Sequence, residues 1–81
     1  MKKTVHLRYF ALLKEERGLS QETIQTTAVS LSNLYAELKK KYELKLPQEF
    51  LKVAVNNEFK DWTTTLKNND SVAFIPPVAG G

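Results

Sequence analysis

The stretch Ser71-Val72-Ala73-Phe74-Ile75-Pro76-Pro77-Val78-Ala79-Gly80-Gly81 decides how this chain is read. Ser71 to Ile75 suits a short strand, and alternation puts Phe74 toward the core and Ile75 on the opposite face. Pro76 and Pro77 end it. Neither has a main-chain N–H, and both hold φ at about −65°, so the ladder stops and the chain leaves in extended form. Val78 and Ala79 are a small spacer. Gly80 and Gly81 lack a Cβ and fit a slot whose walls would exclude any larger residue. Six extended residues reach about 20 Å at ~3.3 Å each. The expectation is a domain over residues 1–75 and an extended tail over residues 76–81, with Gly81 presenting a free, reactive carboxylate. The alternative is a frayed end, common at chain termini. It gives no reason for a Pro-Pro start and a Gly-Gly finish.

Upstream, Thr4 to Tyr9 alternates, with Val5, Leu7 and Tyr9 on one face and Thr4, His6 and Arg8 on the other, which predicts a half-buried strand. Phe10 to Arg17 turns to helix formers, and Gly18 is a natural stop. Gln21 to Thr27 suggests a second strand, antiparallel to the first. Ser30 caps a helix whose apolar stripe is Leu31, Leu34, Tyr35, Leu38 and Tyr42. Leu44 to Pro47 reads as a loop and Phe50 to Val55 as a central strand. Asn56-Asn57 suits a two-residue hairpin turn, returning through Glu58-Phe59-Lys60. Asp61 to Leu66 is irregular, and Asn68-Asn69-Asp70 is a second turn. The order predicts an α+β fold, one main helix crossing a mixed sheet of four to five strands.

The 81 residues allow one small domain with a modest core, 42% hydrophobic and 26% charged. A deep enclosed site is not expected. No apolar run approaches the ~20 residues of a membrane span, and the amino end does not resemble a signal peptide. The expectation is a cytoplasmic protein. The net charge of +3 sits in the first half, and its one basic run, Lys39-Lys40-Lys41, falls where a helix dipole favours cations. That pattern is not the broad basic stripe of a nucleic-acid binder. Cysteine is absent and His6 is the only histidine, which excludes disulfides, a thiolate nucleophile and a zinc cluster. Any sulfur handled by this chain has to ride on its terminus.

Taken together, Arg8-Tyr9-Phe10-Ala11 through Glu16 and Gly18, Val53-Ala54-Val55-Asn56, Asp61, Leu66, Asp70 and Val72 through Val78 with Gly80-Gly81 resemble the small, sulfur-carrying subunits of molybdopterin synthase. The likeness spans essentially the whole chain and is most specific in the tail. One departure is Asn68-Asn69-Asp70, where the family carries glycine before the aspartate; Asn69 can take the positive φ required there. The resemblance implies a ubiquitin-like β-grasp with first and last strands parallel. It implies that an ATP-using, ubiquitin-activating-enzyme-like adenylyltransferase activates Gly81, and that a sulfur donor protein converts it to a thiocarboxylate. That sulfur would then attack a pterin precursor, cyclic pyranopterin monophosphate, held by the large catalytic subunit in a two-plus-two heterotetramer. This chain would bind no cofactor or metal and would be a monomer when alone.

Gly81, with Gly80 giving slim access, is thus the expected catalytic end. Expected partner contacts are Phe59, Ile75, Pro76, Pro77, Val78, Ala79 and Arg8, because a few apolar anchors carry most interface energy. The residues leave Phe59 and Ile75 open between core and surface. His6 reads as a surface strand residue, Trp62 as cover for the core edge, and the helix stripe as core. Three other readings stay open: a thiamine-pathway-type sulfur carrier, a ubiquitin-like modifier conjugated through Gly81, and a binding module with an inert tail.

Overall fold

Alternation sets the first strand. The computed structural model describes residues 2–77, so the expectations for Val78, Ala79, Gly80 and Gly81 lie outside the described residues. The elements are β1 (Lys3–Tyr9), α1 (Ala11–Arg17), β2 (Gln21–Thr26), α2 (Leu31–Tyr42), β3 (Lys52–Val55), β4 (Glu58–Lys60) and β5 (Ser71–Ile75). A single 3₁₀ turn, Gln48–Phe50, precedes β3.

The strands form one mixed sheet in the order β2-β1-β5-β3-β4. β1 runs antiparallel to β2 and parallel to β5, with Leu7 opposite Val72 and Tyr9 opposite Phe74. β3 pairs antiparallel with both β5 and β4. The expected parallel pairing of the first and last strands is therefore present, and β5 holds the centre. β3 is an interior strand beside it, not the central one. Directly opposed residues share a face. Val5, Leu7, Tyr9, Val53, Val55, Val72 and Phe74 all turn to one side and are buried there.

α2 covers that side with Leu31, Leu34, Tyr35 and Leu38, all buried. Each fully buried aliphatic side chain contributes about 1.5–3 kcal/mol. Ser30 caps the helix as expected: its Oγ accepts from Asn33 N at 3.1 Å, and its own N donates to Asn33 Oδ1 at 3.3 Å. Lys39, Lys40 and Lys41 occupy the last turn, where the dipole favours them. Aromatic rings fill the middle of the core: Phe74 stacks on Trp62 at 6.1 Å between centroids and meets Tyr35 at 5.3 Å and Tyr9 at 6.3 Å.

The turns obey backbone chemistry. Gly18 ends α1 at φ 85. Asn56 and Asn57 both hold positive φ, 51 and 72, which makes the β3–β4 connection a type I′ hairpin. Asn69 sits at φ 69, as its turn required. One boundary differs from expectation. Phe50 was expected to open a strand, but Phe50 N and Leu51 N donate back to Pro47 O and Gln48 O, at 3.1 and 2.9 Å. Those bonds close a turn, so β3 begins only at Lys52 and Phe50 is exposed.

Candidate functional site

The face of the sheet that α2 leaves uncovered carries Phe59, Ala54, Ala73 and Arg8 in one cross-strand row, since Ala54 lies opposite both Phe59 and Ala73, and Ala73 opposite Arg8. One row further along, Lys52 lies opposite Ile75. This row borders the point where β5 gives way to the prolines. Phe59 is 70% exposed. An aromatic ring that far into water on a three-residue strand contributes little to the core. Ile75 is half-buried on that same uncovered face, so the open choice resolves to the open surface for Phe59 and to a partly covered position outside the core for Ile75. Arg8 is exposed on the same face, as expected.

The two prolines divide. Pro76 is buried and Pro77 exposed. Pro76 is thus packed against the domain, and Pro77, the last described residue, faces water. The Pro76 ring was expected among the partner contacts; within this chain it is already covered.

Phe10 is a member of this surface that the sequence reading assigned only to the start of a helix. It follows Tyr9, the last residue of β1, whose pairing with Phe74 ends the β1–β5 register. The Arg8 guanidinium lies over the Phe10 ring, 5.3 Å from its centroid. Ala11 takes φ 51, a left-handed conformation that costs an L-residue about 1–2 kcal/mol. The kink turns the chain out of β1 into α1 and leaves Phe10 partly exposed beside the tail root. The signal was a large apolar residue at the break in strand alternation, where Phe10 and Tyr9 cannot both face the core.

A brace holds this end of β1. Arg17 Nε and Nη2 donate to Glu22 Oε2 and Oε1 at 2.9 and 2.7 Å, and the Tyr9 hydroxyl donates to Glu22 Oε2 at 2.6 Å. The Arg17 guanidinium also lies 3.7 Å from the centre of the Tyr42 ring. Burial and the adjacent Glu22 push the Tyr9 hydroxyl above its ordinary value. Burial pulls the Glu22 carboxyl upward, but the hydrogen bonds from Arg17 and Tyr9 outweigh it and leave the group below its ordinary 4.5. The brace ties α1, β1 and β2 together behind Phe10.

The opposite end of β5 is tied differently. Asp70 is buried; its Oδ2 accepts from Lys67 N at 2.8 Å and its Oδ1 from Asn56 Nδ2 at 3.2 Å. Asn56 Oδ1 in turn accepts from Ser71 N at 3.0 Å, and Asp70 O accepts from His6 N at 2.9 Å. His6 itself is exposed and contacts Thr23 Oγ1 through Nδ1 at 3.0 Å, a surface strand residue as expected.

A groove of about 600 Å3 is open and bounded by Lys52, Phe59, Lys60, Asp61 and Trp62. Among the described residues, no group of three or more His, Asp or Glu is placed to hold a metal ion. No helix among them is long and apolar enough to cross a membrane. What the described surface offers is an exposed set of apolar and cationic side chains, Phe59, Phe10 and Arg8, on the face that α2 leaves open.

Comparison with known proteins places this geometry among relatives. The ThiS family profile matches residues 7–81. The molybdopterin synthase sulfur carrier subunit of Haemophilus influenzae is 30% identical over 80 residues, covering 95% of this chain and 99% of the relative. The protein of the same name from Mycobacterium tuberculosis is 32% identical over 80 residues, covering 95% and 96%. Among solved structures, a chain in the complex of subunits 1 and 2 of the molybdopterin-converting factor from Helicobacter pylori is 33% identical, with TM-score 0.66 over 96% of this chain and 99% of that one. The ubiquitin of Caldiarchaeum subterraneum is 11% identical with TM-score 0.65 over the full length of both chains, a likeness of fold alone. The architecture is the ubiquitin-like β-grasp.

Proposed function

This chain belongs to the ThiS family, and from that premise we propose that it is the sulfur-carrier subunit of a molybdopterin synthase. The observation that carries the proposal is end-to-end similarity, at 30% and 32% identity, to relatives with that named role. The geometry is consistent with it. A central strand leads to Pro77 near the exposed side chains of Phe59, Phe10 and Arg8, with half-buried Ile75 on the same face, and the chain holds no cysteine to carry sulfur by any side chain.

In this reading the Gly81 carboxylate attacks the α-phosphorus of ATP on an adenylyltransferase, releasing pyrophosphate and forming an acyl adenylate. Sulfide-level sulfur from the donor then attacks the acyl carbon and displaces AMP (a persulfide donor gives an acyl disulfide first, whose S–S bond a donor thiol cuts), leaving a C-terminal thiocarboxylate, a soft nucleophile ionised at neutral pH. Gly80 and Gly81 supply the slender approach, and Pro77, Val78 and Ala79 the reach. The large subunit supplies the pocket and the pterin precursor. The thiocarboxylate sulfur bonds to a precursor carbon as the carbon–oxygen bond there breaks, that oxygen leaving as water or as a phosphate oxygen. Water then cleaves the acyl–sulfur bond, returning the Gly81 carboxylate and leaving the sulfur on the pterin as a thiol. Phe59, Phe10 and Arg8 are the docking anchors, since exposed aromatic and arginine side chains are the residues that most often dominate interfaces.

The test is intact-mass analysis after incubation with the activating enzyme, ATP and a sulfur source. A gain of about 16 Da, sulfur replacing oxygen, is expected. An unchanged mass, together with a synthase reaction that tolerates loss of Gly81, would overturn the reading. An isopeptide adduct on lysines of other proteins in place of the 16 Da species would assign the chain to protein modification.

A further inference from the structure

The sheet has two edges, β2 and β4, and they differ in how they are protected. β4 is three residues long and carries Glu58 and Lys60, paired at 3.2 Å. Short, charged edges discourage strand addition. β2 is six residues, pairs with β1 over consecutive positions without a bulge, and contains no lysine, glycine or proline. Its only charge, Glu22, is held by Arg17 of the same chain.

The register tells which main-chain groups face outward. Tyr9 N donates to Ser20 O at 2.9 Å, which makes Tyr9 and Ser20 a hydrogen-bonded pair. In an antiparallel ladder such pairs alternate. Glu22, Ile24 and Thr26 therefore turn their N–H and C=O toward β1, while those of Gln21, Thr23 and Gln25 point away from the sheet. No partner among the described residues meets these six groups.

We propose that this edge is a self-association surface, on which β2 of a second copy adds antiparallel about a two-fold axis through Thr23. Thr23 then exchanges both main-chain bonds with its counterpart, and Gln21 pairs with Gln25 of the other copy on either side. All six outward groups are satisfied at once. On the uncovered face, threonine meets threonine and glutamine meets glutamine, so no like charges are opposed. On the other face, half-buried Ile24 gains cover from the second copy. β1 separates β2 from β5, so the join leaves Pro77 free. A contact built on three residues per copy buries far less than a standard interface, so the dimer is weak and forms at high protein concentration.

The test uses the full chain in sedimentation velocity and in an amide-resolved NMR dilution series reaching millimolar concentration. The sedimentation coefficient is expected to rise with concentration, with shifts centred on the amides of Gln21, Thr23 and Gln25. A chain carrying Gln21→Lys and Gln25→Lys should remain monomeric, as should one carrying Gln21→Glu and Gln25→Glu, while their mixture should associate. Circular dichroism confirms that each is folded; if either is not, the dilution series on the native chain decides. The proposal is overturned if the native chain stays monomeric at millimolar concentration or if the shifts map to β4 or to Phe59 and Phe10. It is equally overturned if either charged chain self-associates as well as the native one, or if β2 amides respond only to an added different protein.

Discussion

The two ends of β5 are built on opposite principles. Where the strand begins, Asp70, Asn56, Ser71 and His6 exchange a closed set of hydrogen bonds, and every turn residue sits in the backbone region its side chain tolerates. Where the strand ends, the chain passes a buried proline and an exposed one, beside aromatic rings that face water. One end spends its polar groups on fixing the chain. The other keeps its apolar groups available. The first end fixes the strand that leads to residues 76 and 77, through a central position paired on both sides.

The largest expected effect separates the ends completely. In the proposed reaction, adding one alanine after Gly81 displaces and enlarges the group that reacts, without touching any described contact. Sulfur transfer should fall to background, while thermal unfolding is unmoved. A drop in melting temperature would show that the tail contributes to the fold and would erase the division.

Asp70→Ala breaks the other end. It removes a buried carboxylate that accepts from Lys67 N and the Asn56 amide, and hydrogen bonds to a charged group contribute about 1.5–3 kcal/mol. Urea denaturation should report that loss. Affinity of the folded variant for the large subunit should stay at the native value.

Glu22→Gln tests the brace behind Phe10, and pH gives the sign. The native carboxyl lies below its ordinary 4.5, so its contribution is complete above that pH and is lost as pH falls through the lowered value. The variant should be less stable than the native chain by about 1–2 kcal/mol at neutral pH. The gap should close as the solution is acidified below pH 4.5. A gap that stays constant with pH would mean that packing, not the ion pair, carries the brace.

Phe59→Ala addresses the platform alone. Binding to the large subunit should weaken by about 1–2 kcal/mol, roughly tenfold, measured by calorimetry. Stability should change by no more than about 0.5 kcal/mol, as for other exposed positions.

Legibility in the sequence follows the same division. The fixed end was readable because its rules are local: Val5, Leu7 and Tyr9 announce a strand by spacing, Ser30 a helix start, and Asn56-Asn57 and Asn69 their turns. The exit was only partly readable. Residues 78–81 lie outside the described residues, and the platform is assembled from β1, β3, β4 and β5, where no local pattern says that Arg8 will stand beside Ala73 or Phe59 beside Ala54. Phe10 went unrecognised because its exposure depends on Ala11 adopting positive φ, which alanine composition does not announce. Phe50 was misplaced for a related reason. A strand-like residue yields when a preceding proline starts a turn that uses its N–H.

The smallest expected effect lies at the fixed end and tests how far its order is already optimal. Asn57 holds φ 72 in the second central position of the hairpin turn. Glycine reaches that conformation without a Cβ clash, and an Asn-Gly pair is the preferred type I′ sequence. Glycine also gains more freedom in the unfolded chain, which offsets part of the benefit. Asn57→Gly should therefore stabilise by no more than about 0.5 kcal/mol, and Asn57→Val, β-branched and forced into the same region, should destabilise by about 1–2 kcal/mol. The contrast between the two matters more than either value. If valine were tolerated as well as glycine, the turn would not be pinned at this φ. Asn56, which clamps both Asp70 and Ser71, would then be held by its side-chain bonds alone, and the fixed end of β5 would owe nothing to the hairpin.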